Sequence, residues 1–195
     1  MSDFSCDVKE NIKRLETSLN VERNFDILQR EVVIAGRRAG FFFIDGFVQE
    51  DTVEKLIQFF YSLKESDMQS LDTFLEKGMP YTEVSRSSNI DNVITQFLSG
   101  VSIMTIDGFD ECLLIDCRTY PMRSVSEPWK DRVLRGSRDG FVETLVSNAA
   151  LLRRRIRDPR FSMELYGIGR RSRSDVAICY ISDSVDQSVL DRMRS

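Results

Sequence analysis

The side chains best suited to chemistry are arginines, and they concentrate in the second half of the chain. Between positions 130 and 175, twelve basic residues face six acidic ones, so this region carries about +6 while the whole chain carries −4. The candidate partner or anion contacts are Arg135, Arg138, Arg153, Arg154 and Arg155. Guanidinium groups bind carboxylates and phosphates through paired N–H donors. The expected chemistry is therefore anion or partner binding rather than bond making.

Several interpretations of these arginines fit the sequence. Arg153, Arg154 and Arg155 could be solvated residues at a helix end, a docking surface for a neighbouring subunit or for anionic lipid headgroups, or nucleic-acid contacts. Nucleic acid is the weakest interpretation, because the whole chain is acidic and no aromatic residues alternate with the arginines to stack on bases. Arg135 and Arg138 precede a predicted helix, whose free N–H groups could help them hold an anion. Alternatively, they tie a linker to the domain that follows.

Catalytic and metal-binding residues are scarce. The chain contains no histidine, which excludes Ser-His-Asp and Cys-His nucleophile systems and histidine metal sites. The four cysteines, at positions 6, 112, 117 and 179, lack metal-ligand spacing. Cys112 and Cys117 are five residues apart on an apparent strand, which points them to opposite faces as buried thiols. We therefore predict no catalytic residue, no metal site and no cofactor, and a protein that is not an enzyme.

Length and composition indicate a folded, soluble chain. Hydrophobic residues make up 42% and charged residues 30% of the 195 residues, which is typical of globular rather than disordered proteins. No apolar run approaches the roughly 18 residues needed to cross a bilayer. The N-terminus lacks the basic start and apolar core of a signal peptide. We expect one large or two small domains in a soluble, intracellular piece of protein.

The first part of the chain predicts helices alternating with two hairpins. Helices are predicted over 7–19, from Asp51, over 68–76, and from Asn89 or Asp91 to position 100. Apolar runs on either side of a glycine-containing turn predict hairpins over 30–44 and 101–117. Residues 119–134 contain two prolines and many charges without periodicity, and predict a linker.

The second part predicts the order helix, strand, strand, helix. Apolar residues at helical spacing from Phe141 to Ile156 predict four or five helical turns, which Asp158-Pro159 ends. Strands are predicted over 161–168 and 176–181. The second strand is apolar throughout, so we expect both of its faces to be covered. Ser184 and Gln187 have capping-box spacing and predict a final helix.

An internal similarity links the two parts. Gly36-Arg37-Arg38 and Gly169-Arg170-Arg171 each precede an apolar strand and then a helix. Neither has the spacing of a phosphate-binding loop, so both are interpreted as hairpin turns. Related hairpin–helix units and convergence on common turn chemistry explain the similarity equally well. The predicted fold class is α+β, with two small subdomains of helices packed on short, mainly hairpin-built sheets, over 1–118 and 135–195, joined by a linker over 119–134.

Several runs resemble the spore germinant-receptor A-subunit family, also called the GerA-type family. Residues 116–121 (DCRTYP), followed by Glu127-Pro128, resemble the D-x-R-x-Y-P…E-P stretch of that family. Residues 135–143 (RGSRDGFVE) are similar to its R-G-x-R-[DE]-G-F-x-E run, and 151–158 and 169–176 continue the match in order and at the family spacing. The Gly-Ser-Arg-Asp-Gly form is most similar to the stage V sporulation protein AF branch. The resemblance is strong from about 100 to 195 and thinner from 24 to 63.

The resemblance implies an N-terminal domain on the cytoplasmic (spore core) side of a spore inner-membrane germination protein, with membrane helices following residue 195. It implies subunit assembly and signal transmission during germination, with other membrane subunits and further copies of the full-length protein as partners. Anionic lipid headgroups are a further expected partner, whereas nucleic acid is not. The alternative function is small-molecule sensing, with a germinant bound between the two subdomains, where pockets are favoured.

Overall fold

The computed structural model describes residues 3–76, 83–120 and 140–195. Those residues form six α-helices and seven strands, in a five-stranded and a two-stranded antiparallel sheet, so the predicted α+β class is confirmed. In chain order the elements are α1 Val8–Leu19, β1 Ile27–Ile34, β2 Arg37–Ile44, α2 Glu50–Ser62, α3 Leu71–Glu76, β3 Glu83–Ser87, α4 Ile90–Leu98, β4 Ser102–Ile106, β5 Cys112–Asp116, α5 Leu145–Arg155, β6 Phe161–Ile168, β7 Ser174–Ile181 and α6 Gln187–Arg194.

The larger sheet has the strand order β1-β2-β4-β5-β3 and contains both hairpins predicted for the first part of the chain. Their turns need glycine, because Gly36 and Gly108 have φ values of +79° and +88°. Helices cover both faces: α1 and α4 pack on one face, and α2 and α3 on the other. Cys112 belongs to the first of these cores and Cys117 to the second, which confirms that they point to opposite faces.

The smaller sheet consists of β6 and β7, paired from Phe161↔Ile181 to Ile168↔Ser174. Helix α5 packs on the face that carries Phe161 and Met163, and α6 packs on the opposite face. These helices cover only one end of the hairpin, and residues 167–176 are all exposed. The expectation that the strand over 176–181 is covered on both faces is therefore wrong, because Val176 and Cys179 are exposed whereas Ile178 and Tyr180 are buried.

The same element order occurs at both sheets. Helix α1, hairpin β1–β2 and α2 correspond to α5, hairpin β6–β7 and α6, and α5, β7 and α6 each start 137 residues after α1, β2 and α2. The similarity therefore extends over four elements rather than one turn, which favours related units over convergent turn chemistry. The partition into subdomains over 1–118 and 135–195 stays a prediction, and most of the predicted linker lies outside the described residues.

Four helix starts differ from those predicted, and one of them is that of α3, which begins at Leu71 rather than at residue 68. Helix α5 begins only at Leu145, because Asn148 exchanges two 2.7 Å hydrogen bonds with the backbone of Val142 and holds the preceding residues in a non-helical turn. Helix α6 is capped by Asp186 rather than Ser184. Helix α2 begins after Gln49, which makes no side-chain cap, rather than at Asp51.

Candidate functional site

The junction between the two sheets is built on α5. Two adjacent alanines of this helix face different cores: Ala150 packs in the core of the larger sheet with Phe47, and Ala149 packs with Phe161 of the smaller sheet. Small side chains are needed here because the helix comes close to the turn after β2, where a Cβ on Gly46 would lie 3.1 Å from that of Ala150. Helix α5 is therefore shared by both parts of the structure.

Arg153, one turn further along α5, closes the junction. Its guanidinium makes a bidentate ion pair with Asp26, through Nε to Oδ2 at 2.8 Å and Nη2 to Oδ1 at 2.9 Å. The side chains of both residues are 1% exposed. Two further bonds go from Nη1 to the Phe161 carbonyl at 3.0 Å and from Nη2 to Asn24 Oδ1 at 2.8 Å. The guanidinium also lies 5.0 Å from the Phe161 ring centroid.

Backbone hydrogen bonds next to this ion pair join the same two segments. The Phe25 N–H donates to the Met163 carbonyl at 3.1 Å, and the Met163 N–H donates to Asn24 Oδ1 at 3.0 Å. The Asp26 carbonyl accepts a 2.7 Å bond from the N–H of Asp45, the residue that follows β2. The junction therefore connects β6 to the start of β1 and the end of β2, which lie side by side at the open end of the β1–β2 hairpin.

The structure separates the candidate arginines. Arg153 is buried and engaged within the chain, so its grouping with surface contacts is corrected: it is not accessible to a partner. Arg154 and Arg155 are exposed, and the Arg154 guanidinium lies 4.5 Å from the Tyr120 ring centroid. Arg135 and Arg138 lie outside the described residues. Arg153 binds Asn24 and Asp26, which no pattern in the sequence indicates as site residues.

A cavity of about 440 Å³ lies beside the junction, between the turn Val21–Arg23 and β6. Its lining combines apolar side chains with charged groups at the rim: Val21, Glu22, Arg23, Phe25, Met163, Glu164, Leu165, Tyr166 and Arg194. A small molecule with an apolar body and a charged group suits this mixture.

Glu164 is the best-connected charged group of that cavity. Arg194 forms an ion pair with it, and the hydroxyls of Tyr166 and Tyr180 both donate to its carboxylate. These donors, Arg194 first among them, lower the pKa of Glu164 to about 2. Glu164 and Arg194 therefore form a fixed ion pair on the wall rather than an acid or base ready for proton transfer.

A second cavity, of about 560 Å³, lies between α4 and the edge strand β3. Two of its three charged lining side chains have partners, since Asp116 pairs with Arg118 and Arg86 pairs with Asp72 and Glu111. Hydrogen bonding to Arg118 lowers the pKa of the Asp116 carboxyl. Its lining residues lie on other elements than those of the junction, and none of them lines the first cavity.

The described residues contain neither a candidate metal cluster nor a membrane-spanning helix. In the part of the chain that the structure describes, no group of three or more His, Cys, Asp or Glu side chains could hold a metal ion. No helix of residues 3–76, 83–120 or 140–195 is long and apolar enough to cross a bilayer. Cys112 and Cys117 are buried, and burial raises the pKa of both thiols.

A solved structure has the same fold. The chain superimposes on the crystal structure of the N-terminal domain of the A subunit of the Bacillus megaterium spore germinant receptor GerK3, with a TM-score of 0.76 and 21% identity. The match covers 100% of this chain and 71% of that chain. At this identity the similarity shows the fold alone, the two-part α+β domain described above.

The chain belongs to the Bacillus/Clostridium GerA spore germination protein family, whose family model matches residues 13–195. It is 30% identical over 184 residues to Stage V sporulation protein AF of Bacillus subtilis (strain 168), covering 93% of this chain and 37% of that protein. It is 27% identical over 172 residues to spore germination protein GerLA of Bacillus cereus, covering 86% of this chain and 35% of that protein. The predicted resemblance, including that to the stage V sporulation protein AF branch, is confirmed.

The chain corresponds to only part of each of these relatives. The chain spans little more than a third of the length of these curated relatives. Two of their names refer to sporulation and germination, and the third relative is described as an uncharacterized membrane protein, YfkQ, of Bacillus subtilis (strain 168).

Proposed function

We propose that this chain is the cytoplasmic N-terminal domain of a spore inner-membrane germination protein. It acts in subunit assembly and signal transmission during germination and catalyses no reaction. Membership of the GerA spore germination protein family supports the setting, as do the names of relatives such as spore germination proteins GerLA and KA. The proposed partners are other membrane subunits of a germination complex and further copies of the full-length protein.

The buried junction is the observation that carries the transmission part of the proposal. Arg153 on α5 binds Asp26, which immediately precedes β1, and Asp26 accepts a backbone bond from Asp45 after β2. Each of these contacts is directional, so a displacement of α5 or β6 relative to the larger sheet would have to break them all at once. Because breaking them together is unfavourable, a displacement of one sheet moves the other sheet with it.

The exposed arginines of α5 carry the assembly part. Arg154 and Arg155 lie in the last turn, one and two residues beyond the buried Arg153, where they can reach an acidic surface of a neighbouring subunit or anionic headgroups. Arg135 and Arg138 complete the proposed contact set.

Crosslinking of the full-length protein in spore membranes tests this proposal. We expect the wild-type protein in a multi-subunit inner-membrane complex, and we expect Arg154→Glu with Arg155→Glu to lose those crosslinks while lowering the melting temperature of the 195-residue chain far less than Arg153→Glu does. Arg153→Glu is the matched control, because the same charge reversal at a buried site should destabilise the fold. Recovery of the wild-type protein as a soluble monomer would contradict the assembly proposal.

The cavity at the junction supports a second candidate function, small-molecule sensing. A ligand present at 100 times its Kd stabilises the folded state by about 2.7 kcal/mol, or roughly 5–10 °C for a chain of this size. The test is a thermal shift of the chain with individual candidate germinants. Leu165→Trp, which fills the cavity, should abolish the shift, whereas Val33→Trp at an exposed site on β1 should preserve it. If no germinant shifts the melting temperature, the sensing function is refuted while the assembly proposal stands.

A further inference from the structure

The far end of the β6–β7 hairpin projects beyond the helices that cover its base. Ten consecutive residues, 167–176, are exposed. The loop is a defined turn rather than an open segment: the Arg173 N–H donates to the Gly169 carbonyl at 3.3 Å, and both residues have positive φ, +46° and +95°. The side chains on this tip are therefore presented from a fixed backbone.

Three arginines project from the tip. Arg170, Arg171 and Arg173 are exposed, and their side chains have no hydrogen-bond or ion-pair partner among the described residues. The corresponding turn of the larger sheet behaves differently. There, Arg37 donates to the Asp107 carbonyl at 3.0 Å and lies 5.0 Å from the Phe109 ring centroid. In the turn of the larger sheet, Arg37 therefore makes contacts within the chain, whereas the arginines of the tip face solvent.

Apolar side chains lie directly behind these arginines. Ile168 is 54% exposed and Val176 is 39% exposed. Strand pairing puts Tyr166 opposite Val176 and Ile168 opposite Ser174, so Ile168 and Val176 are diagonal neighbours on one face of the hairpin. The tip therefore presents guanidinium groups at its end and an apolar pair just behind them.

We propose that this tip, residues 167–176, docks on the surface of an anionic lipid bilayer. The arginines bind lipid phosphates, and Ile168 and Val176 enter the boundary between headgroups and acyl chains. The apolar pair favours a bilayer over nucleic acid, because the loop offers no aromatic side chain on which bases could stack. It also favours a bilayer over an acidic polypeptide, which would satisfy the arginines but leave the apolar pair in water. This inference goes beyond the proposed function, since it requires neither assembly nor ligand binding.

Vesicle co-sedimentation of the 195-residue chain tests the proposal. We expect binding to phosphatidylcholine vesicles that contain phosphatidylglycerol, weak binding to phosphatidylcholine alone, and loss of binding as salt is raised. The triple variant Arg170→Gln, Arg171→Gln and Arg173→Gln should reduce partitioning on the order of 100-fold, since each basic residue near an anionic surface contributes about 1 kcal/mol and 1.4 kcal/mol is tenfold. Ile168→Ser with Val176→Ser should reduce binding while retaining its salt dependence.

The matched control removes the same charge elsewhere. Arg23→Gln, Arg30→Gln and Arg38→Gln replace three exposed arginines of the first part of the chain and should bind vesicles like the wild type. Equal loss in both triple variants would show a general charge effect and overturn the proposal, as would absence of binding to anionic vesicles. Binding of single-stranded DNA or polyglutamate through the tip arginines, without vesicle binding, would overturn it in favour of that partner. The melting temperatures of the variants should match the wild type, because every substituted side chain is solvent-exposed.

Discussion

Replacing Arg153 with methionine tests the junction most directly. The substitution keeps an unbranched side chain of similar length and removes the guanidinium, so the Asp26 carboxyl loses its ion-pair partner in a site where its side chain is 1% exposed. The described residues give that carboxylate no other side-chain or backbone donor. Removing one partner of a buried ion pair costs about 3–5 kcal/mol, because the other charge is left uncompensated. The Phe161 carbonyl loses a donor as well.

The expected result is a large fall in melting temperature. For a domain of 150–250 residues, each kcal/mol shifts the melting temperature by about 2–4 °C, so Arg153→Met should lower it by roughly 6–20 °C. Thermal denaturation followed by circular dichroism measures the change. Hydrogen exchange at the Phe25 and Met163 amides, which bridge the two segments, locates it.

Two further variants make this measurement decisive. Arg154→Met makes the same substitution one residue away and removes only the stacking on Tyr120, worth about 0.5–1 kcal/mol at an exposed site. Asp26→Leu combined with Arg153→Met removes both charges and should recover most of the lost stability. If Arg153→Met melts within about 2 °C of Arg154→Met, the ion pair does not hold the junction and the reasoning is refuted.

Three other predictions follow from the same contacts. The pKa of Glu164 is lowered from 4.5 to about 2, so its contribution to stability is complete above pH 4.5 and is lost as the pH falls towards 2. Between neutral pH and about pH 3, the melting temperature of Glu164→Gln should therefore fall less than that of the wild type. Gly40→Ala should cost about 1–3 kcal/mol in urea denaturation, because the new Cβ would lie 2.5 Å from Ile12 Cγ1, whereas Gly167→Ala, with no atom within 4 Å, should be close to neutral. A thiol reagent should label Cys6 and Cys179 in the native protein and Cys112 and Cys117 only after unfolding, and early labelling of Cys112 would contradict the buried core.

The hairpins and several helix ends were predictable because their signals are local. Glycine at Gly36 and Gly108 permits the positive φ that each turn requires, and the apolar runs on either side supply the strands. Asp7 and Asn89 accept hydrogen bonds from the first-turn amides of α1 and α4, as their positions before an apolar periodic run predict. In these elements the turn, the cap and the hydrophobic pattern all indicate the same structure.

The elements that were missed depend on distant contacts. Strand β3 reads Glu-Val-Ser-Arg-Ser, without apolar alternation, and it is a strand only because β5 offers it an edge to pair with. Arg153 shows the same difficulty in the site. Its position, four residues after Ala149 and three before Ile156, puts it on the apolar stripe of α5, which was a usable signal that it faces inwards. Its partners are 127 and 129 residues away, and no local pattern identifies them.

A buried ion pair adds little net stability to a junction, but it fixes the relative positions of the segments that it joins. Apolar contacts such as that between Ala149 and Phe161 tolerate sliding, whereas the bidentate pair of Arg153 with Asp26 loses its geometry with a small shift. Strand β6 begins at this junction and ends at the exposed tip, a span of about 25 Å for eight extended residues. If the tip rests on a lipid surface, the hairpin is a stiff connection between that surface and the β1–β2 hairpin. A junction of this kind favours a domain that transmits position over one whose two parts move independently.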